Sequence, residues 1–377
     1  MSEYQDTYQN QDTDEILRSA CARLLTDCCT AQVREQSASG VWAGALWDAL
    51  SDAGLVSAIE PRSEGGGLLD WETLATLIQL SGEFATPLPW VETLLAQRHF
   101  AMAGLEFPDG PLSIAPSVPA VPYPVLSRSP SGWLLDGHLS RVGWGRDANA
   151  IAVVARHQQG YALVRIDKGH CSGLFHNEAQ DPRDRFVFSG AAVASDCVSL
   201  DYVPANSLLA EGALARSLLM VGAMSKVLDL TLQYSLDRVQ FGKPISKFQA
   251  VQHLVAVQAS HTAAATAAVM AAVFAAQQGP AAFEIAAAKT RASEAAGLAA
   301  RTAHQVHGAM GITKEYPLHF WTRRLFAWRD EFGNETQWAN ALGKISLEAG
   351  GQGLWPLVCN AQQHSEKILQ MMEVGAA

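Results

Sequence analysis

Two stretches of this chain place polar and small residues where they could do chemistry. The first is Arg238-Val-Gln-Phe-Gly-Lys-Pro-Ile-Ser-Lys-Phe-Gln249. Arg238, Gln240, Lys243 and Lys247 offer donors and positive charge in one short turn, suited to a phosphate or pyrophosphate. A solvated basic turn between two helices would look the same. The second is His304-Gln-Val-His-Gly-Ala-Met-Gly-Ile-Thr-Lys-Glu-Tyr-Pro317. Gly308, Ala309 and Gly311 let another group approach the backbone closely, and Gln305 adds a donor and an acceptor. Other candidates are weaker. Pro61-Arg-Ser-Glu-Gly-Gly-Gly67 lacks the Lys-Ser/Thr of a P-loop and reads as a loop between helices. His99 and His138 stand alone and read as structural. The cysteines (Cys21, Cys28, Cys29, Cys171, Cys197, Cys359) show no CxxC or zinc spacing, so no metal is expected and the thiols suit a reducing, cytoplasmic setting.

The elements that would position these stretches follow from periodicity. Leu214, Leu218, Val221, Leu228 and Leu232 give Ala213–Asp237 a helical stripe, and Gln249–Gln277 is Ala-rich without Gly or Pro. Phe241-Gly242 interrupts the pattern, and Pro244 suits the start of the next helix. Earlier, helical spacing marks Asp14–Thr30, Val41–Ala53, Trp71–Ser81 and Pro89–Ala103. Prolines from Pro108 to Pro130 end the helical region. Short β-rich runs follow at Gly132–Gly137, Ala150–Ala155, Tyr161–Ile166, Arg185–Phe188 and Cys197–Val203, as in a small barrel or sandwich. The predicted domains are residues 1–110 (helical), 111–207 (β) and 208–377 (helical bundle).

Composition sets the outer bounds. The 377 residues are 49% hydrophobic and 17% charged, which are globular values. A net charge of −10 argues against nucleic acid as a partner but leaves room for a local basic site. No apolar run is expected to reach membrane-spanning length, and Thr262–Ala276 reads as a bundle helix. The polar, acidic N-terminus resembles neither a signal nor a transit peptide and is expected to fray.

Taken together and in order, the Arg238–Gln249 and His304–Pro317 stretches resemble the C-terminal helical domain of the acyl-CoA dehydrogenases. More weakly, the likeness covers most of the chain. It implies the acyl-CoA dehydrogenase-like fold: an α-helical N-terminal domain, a small β-barrel or sandwich middle domain and a C-terminal four-helix bundle. It also implies FAD and an acyl-CoA substrate, with a glutamate removing the α-proton and the β-hydrogen leaving as hydride to the flavin. Arg238 and Phe241 match a turn that reaches into a neighbouring subunit to hold the FAD pyrophosphate and adenosine. Gln240 and Ile245 hold accessory positions. Gln305, Gly308 and Ala309 match a second cofactor strip, with alanine for a usual glycine.

Elsewhere the chain departs from the family pattern. Leu112–Val118 poorly matches the usual Thr-Glu-Pro-x-Ala-Gly-Ser-Asp loop. In Leu135–Asn149, Arg141 and Gly143 replace the tryptophan and threonine that line the flavin, while Trp144 lies out of register. The two family positions for the base fall on Phe332 and Gly212, neither of which can take a proton. Glu331 and Glu211 (with Glu335) are the fallback carboxylates, although a helix neighbour is rotated by about 100°. Asp330 and Glu331 are expected to ion-pair with Arg323, Arg324 or Arg329.

A chain with the reaching arm but no base resembles one subunit of the heterotetrameric (α2β2) acyl-CoA dehydrogenases of steroid side-chain catabolism. In that case a second subunit carries the catalytic Glu, and an electron-transferring flavoprotein is the acceptor by analogy. The alternatives are a homotetrameric enzyme with a relocated Glu and a non-catalytic scaffold paralogue.

Overall fold

The computed structural model describes residues 2–59, 67–116, 121–130, 132–158, 160–200 and 207–373. Helices come first: α1 (Ser2–Cys28), α2 (Ala31–Ala38), α3 (Gly44–Asp52), α4 (Trp71–Glu83) and α5 (Trp90–Met102). The N-terminus, expected to fray, is helical from Ser2. The sequence pattern missed α2, which is short and polar; it starts where the Thr30 hydroxyl accepts from Val33 N at 3.3 Å. Asp70 caps α4 the same way, accepting from Thr73 N at 2.7 Å. Most of the Pro61–Gly67 loop lies outside the described residues.

One mixed sheet follows, built from β1 (Leu112–Ile114), β2 (Val125–Ser129), β3 (Gly132–Gly143), β4 (Ala150–His157), β5 (Gly160–Asp167), β6 (Cys171–Gly173), β7 (Arg183–Val193) and β8 (Val198–Ser199). Its order is β6-β7-β3-β2-β4-β5-β8, with β1 parallel to β4. Alternation along β4 shows how the sheet serves two cores. Ala150, Ala152 and Val154 join the helical core, whereas Ile151, Val153 and Ala155 face a second core with Leu135 and Phe186. β1 and β2 lie inside the proline-rich stretch, so the prolines separate short strands as well as ending the helices.

Long helices complete the chain: α6 (Ser207–Asp237), α7 (Gln249–Gln278), α8 (Ala282–His307), α9 (His319–Asp330), α10 (Glu335–Cys359) and α11 (Ser365–Glu373). Small residues set how closely they pack. A Cβ added at Gly82 of α4 would lie 2.1 Å from Leu219 O, and one at Gly222 of α6 would lie 2.1 Å from Gln79 O. These two helices therefore cross backbone to backbone. The expectation that no apolar segment reaches spanning length needs correction. By length and composition α6 and α7 both qualify; the most apolar window of α6 is 89% buried, that of α7 only 33%. Buried leucines, methionines and valines make α6 a core helix, while the outer face of α7, with Met270 and Phe274, stays exposed.

Candidate functional site

The segment after α9 is held from several sides. Lys289, wholly buried on α8, donates from Nζ to Trp328 O at 2.7 Å and Arg329 O at 2.9 Å, satisfying carbonyls at the end of α9. Phe332 and Gly333 then take left-handed conformations, with φ of 56° and 87°. Trp338 Nε1 donates to Phe332 O at 3.0 Å, and Asn334 and Gln337 form a capping box that starts α10. The Phe332 ring is buried against α6. A Cβ at Gly212 would lie 2.2 Å from its Cδ1. The two positions matched to the family's base, 120 residues apart (332 − 212), thus meet at one point, which a phenyl ring and a bare backbone fill.

The neighbouring carboxylates are committed elsewhere. Glu331 accepts from Arg183 Nε at 2.7 Å and Arg216 Nε at 2.6 Å. Arg216 also binds Glu92 at 2.6 Å and lies 5.1 Å from the Phe332 ring centre. Burial alone would raise the Glu331 pKa, but the two guanidiniums outweigh it and hold the carboxyl at about 2. A carboxylate so acidic and so fully paired is a poor proton acceptor at neutral pH. Glu211 turns towards α5, 3.4 Å from both Arg98 Nε and His99 Nε2, and Glu335 pairs with Arg329 at 2.8 Å. The expected partners of Glu331 were therefore wrong. Arg324 binds Asp181 instead, and the true partners come from β7 and α6, which sequence proximity could not indicate.

The positions matched to the flavin wall border the same space. Arg141 is exposed at φ 61°. A Cβ at Gly143 would stand 3.1 Å from Glu92 Oε1, so the missing side chain makes room for the ion network. Trp144 is buried and meets Trp42 edge-on at 6.3 Å. Two cavities border this network: one of about 240 Å³, lined by Glu92, Arg141, Arg216, Glu331, Phe332 and Gln337 among others, and one of about 420 Å³, lined by Arg141, Arg183, Asp330 and Glu331 among others. Sites for small ligands and cofactors are mostly apolar and hold about 300–1,000 Å³.

The other candidate residues lie at the far ends of α6 and α8. Between α6 and α7 the chain forms a hairpin, β9 (Val239–Gln240) with β10 (Lys243–Pro244), closed by Ile245 N donating to Arg238 O at 2.8 Å. Arg238 and Gln240 are exposed, Ile245 is half-buried, and Phe241 stands 93% exposed at φ 53°. Gln305, Gly308 and Ala309 are exposed as well. An aromatic brace joins the two stretches. Tyr234 stacks on His307 at 4.4 Å and donates to His307 O at 3.2 Å, with Tyr316 against both rings. Neither the brace nor the Glu92–Arg183–Arg216–Glu331 network was foreseen from sequence. A buried Arg or Lys in an otherwise apolar helix, such as Arg216 or Lys289, was the available signal.

Residues 203–334 match the family model for the acyl-CoA dehydrogenase C-terminal domain. Over that region, about a third of its length, the chain is similar to the acyl-CoA dehydrogenases. It is 38% identical over 104 residues to the acyl-CoA dehydrogenase IpdE2 of Mycolicibacterium smegmatis, a match covering 28% of this chain and about a third (32%) of that relative's length. Acyl-CoA dehydrogenase FadE27 of Mycobacterium tuberculosis is 27% identical over 300 residues, 73% of this chain and 80% of FadE27. Two solved structures share the fold. The ChsE4-ChsE5 complex of Mycobacterium tuberculosis matches with TM-score 0.80 at 22% identity, over 89% of this chain and 97% of that one. A variant of the Tcur3481-Tcur3483 steroid ACAD matches with TM-score 0.82 at 23% identity, over 90% and 98%. Members of the acyl-CoA dehydrogenase family are FAD-dependent.

The dinucleotide fits this chain at one end only. Among the described residues Arg238 makes no ion pair, and with Gln240, Gln305 and the bare backbone at Gly308 it offers donors of the kind a pyrophosphate takes. Both cavities beside Arg141 are lined by charged side chains, a poor match to the mostly apolar wall that an isoalloxazine takes.

Proposed function

We propose that this chain is the non-base subunit of a heteromeric, FAD-dependent acyl-CoA dehydrogenase that introduces an α,β double bond into a steroid-type acyl-CoA. The observation that carries this reading is Phe332 packed on Gly212 beside a Glu331 locked by two arginines. When bound, FAD supplies the hydride acceptor. On this reading Arg238 and Gln240 hold the pyrophosphate, while Phe241 and Ile245 border the adenosine. Gln305, Gly308 and Ala309 line the strip beside them. The α-proton has no acceptor here, so a second subunit carrying the catalytic Glu removes it and holds the flavin ring in an α2β2 assembly.

Likeness to the ChsE4-ChsE5 complex and to a steroid ACAD supports both the heteromer and the bulky acyl group. The same reading takes electron-transferring flavoprotein as acceptor, domains divided near residues 110 and 207, and a cytoplasmic location in keeping with six free cysteines.

The test is dehydrogenation of steroid-type acyl-CoAs with an artificial electron acceptor. The chain alone is expected to be inactive. The complex with its partner is expected to be active and to keep activity within about twofold when Phe332 becomes Ala, a difference well under 1 kcal/mol. Dehydrogenation by this chain alone would overturn the proposal.

A further inference from the structure

Four charged side chains meet where the regions of the fold converge. Glu92 comes from α5, Arg183 from β7, Arg216 from α6 and Glu331 from the turn after α9. Side-chain exposures of 6%, 6%, 3% and 10% place all of them essentially out of water. The bonds run in one line: Glu92 to Arg216 at 2.6 Å, Arg216 to Glu331 at 2.6 Å, and Glu331 to Arg183 at 2.7 Å. The line therefore crosses from the N-terminal helices through the C-terminal helices to the sheet. Asn177, in the loop before β7, adds a longer bond to Glu331 at 3.5 Å.

Around the line the backbone is fitted to the charges. Gly143 leaves the space Glu92 occupies, and Lys289 fixes the end of α9 from which Glu331 projects. A buried ion pair adds little net stability over apolar side chains of the same size. Removing one member is costly, because a charge is left buried and unpaired. Such a network fixes which surfaces meet and in what register.

We propose that Glu331 is the centre of an interdomain clasp, a positioning residue that locks the N-terminal helices, the sheet and the C-terminal helices together without a bound flavin ring. In a flavoprotein whose cofactor fills the space between domains, binding supplies part of the coupling by mass action. Here the protein's own charges supply it. The clasp does not depend on the division of labour proposed above, since it would act equally in a chain that never meets a flavin.

Hydrogen–deuterium exchange on the purified protein, with any co-purifying partner retained, tests this. Exchange in residues 183–186, 213–218 and 329–334 is expected to be equal before and after flavin is stripped. In Glu331→Gln, exchange in all three segments should rise together by about tenfold or more, while that of residues 151–154 in the sheet interior is unchanged. The quadruple variant Glu92→Met, Arg183→Met, Arg216→Met, Glu331→Met removes all four charges, leaves none of them unpaired and should return protection towards wild type. It also keeps the test decisive if the single variant fails to fold. Protection lost on flavin removal, or faster exchange in Glu331→Gln confined to residues 329–334, would overturn the clasp. Either result would leave the question of which subunit carries the base untouched.

Discussion

Gly212→Ala perturbs one contact whose sign can be worked out in advance. The new Cβ would lie 2.2, 2.4 and 2.6 Å from Phe332 Cδ1, Cε1 and Cγ, against a normal carbon–carbon separation of about 3.5–4.0 Å. Arg216 lies 5.1 Å from the ring centre and the Phe332 carbonyl is held by Trp338 at 3.0 Å, so relief requires the ring to rotate away from both α6 and this cation. Overpacking of this kind costs about 1–3 kcal/mol, and the short distances place the cost near the top of that range. Alanine in place of glycine in a helix returns about 1 kcal/mol. The single variant should therefore be destabilised by about 2 kcal/mol. In a Phe332→Ala background the obstacle is gone, and the same substitution should stabilise by about 1 kcal/mol. Chemical denaturation followed by circular dichroism, run as a double-mutant cycle, reads both values. A neutral or stabilising Gly212→Ala in the wild-type chain would refute the contact, and with it the register that leaves both base positions empty.

Other expectations follow from the same geometry. Arg238→Ala, at an exposed position, should leave the fold intact but weaken FAD retention in the complex by about 10–100-fold, as loss of a charge-assisted bond worth about 1.5–3 kcal/mol implies; unchanged flavin content would favour a scaffold. Burial lowers the Lys289 pKa to about 7, only partly offset by Glu331. The unfolded chain then binds a proton that the folded chain does not between about pH 7 and 10.4, so stability should rise across that window by up to about 1.4 kcal/mol per pH unit. Denaturation of wild type against Lys289→Met over that range isolates the slope, and a falling or flat difference contradicts it. Glu331, with its pKa depressed to about 2, contributes stability that is complete above about pH 4.3 and lost as pH falls towards 2. Glu331→Gln should cost about 3–5 kcal/mol at neutral pH, with the gap to wild type narrowing in acid.

The helices and the hairpin were legible because their signals are local. Periodic apolar residues marked α3 to α6, an Ala-rich run without Gly or Pro marked α7, and Phe241-Gly242 marked the turn that carries Arg238. α2 escaped because AQVREQSA has no apolar stripe, and helical residues from Ser2 onward escaped because that stretch is polar. The Glu92–Arg183–Arg216–Glu331 line escaped for a different reason. Its members lie on separate elements, and only the assembled fold brings them within 2.7 Å bonds of one another. Counting residues matched Phe332 and Gly212 separately to the family's two base positions, and their contact is a tertiary fact that only the assembled fold shows. The same counting proposed Glu331 as a fallback base, because sequence shows a carboxylate but not the two guanidiniums that occupy it.

On the proposed function this chain lends an arm to a flavin site that it does not itself contain. The visible absorption spectrum tests it most directly, taken on the chain purified alone and again after co-expression with a family member that carries the catalytic Glu. A colourless chain that becomes yellow on assembly, at one FAD for each pair of chains, is the predicted result. A yellow chain on its own, bleached by acyl-CoA, would contradict it.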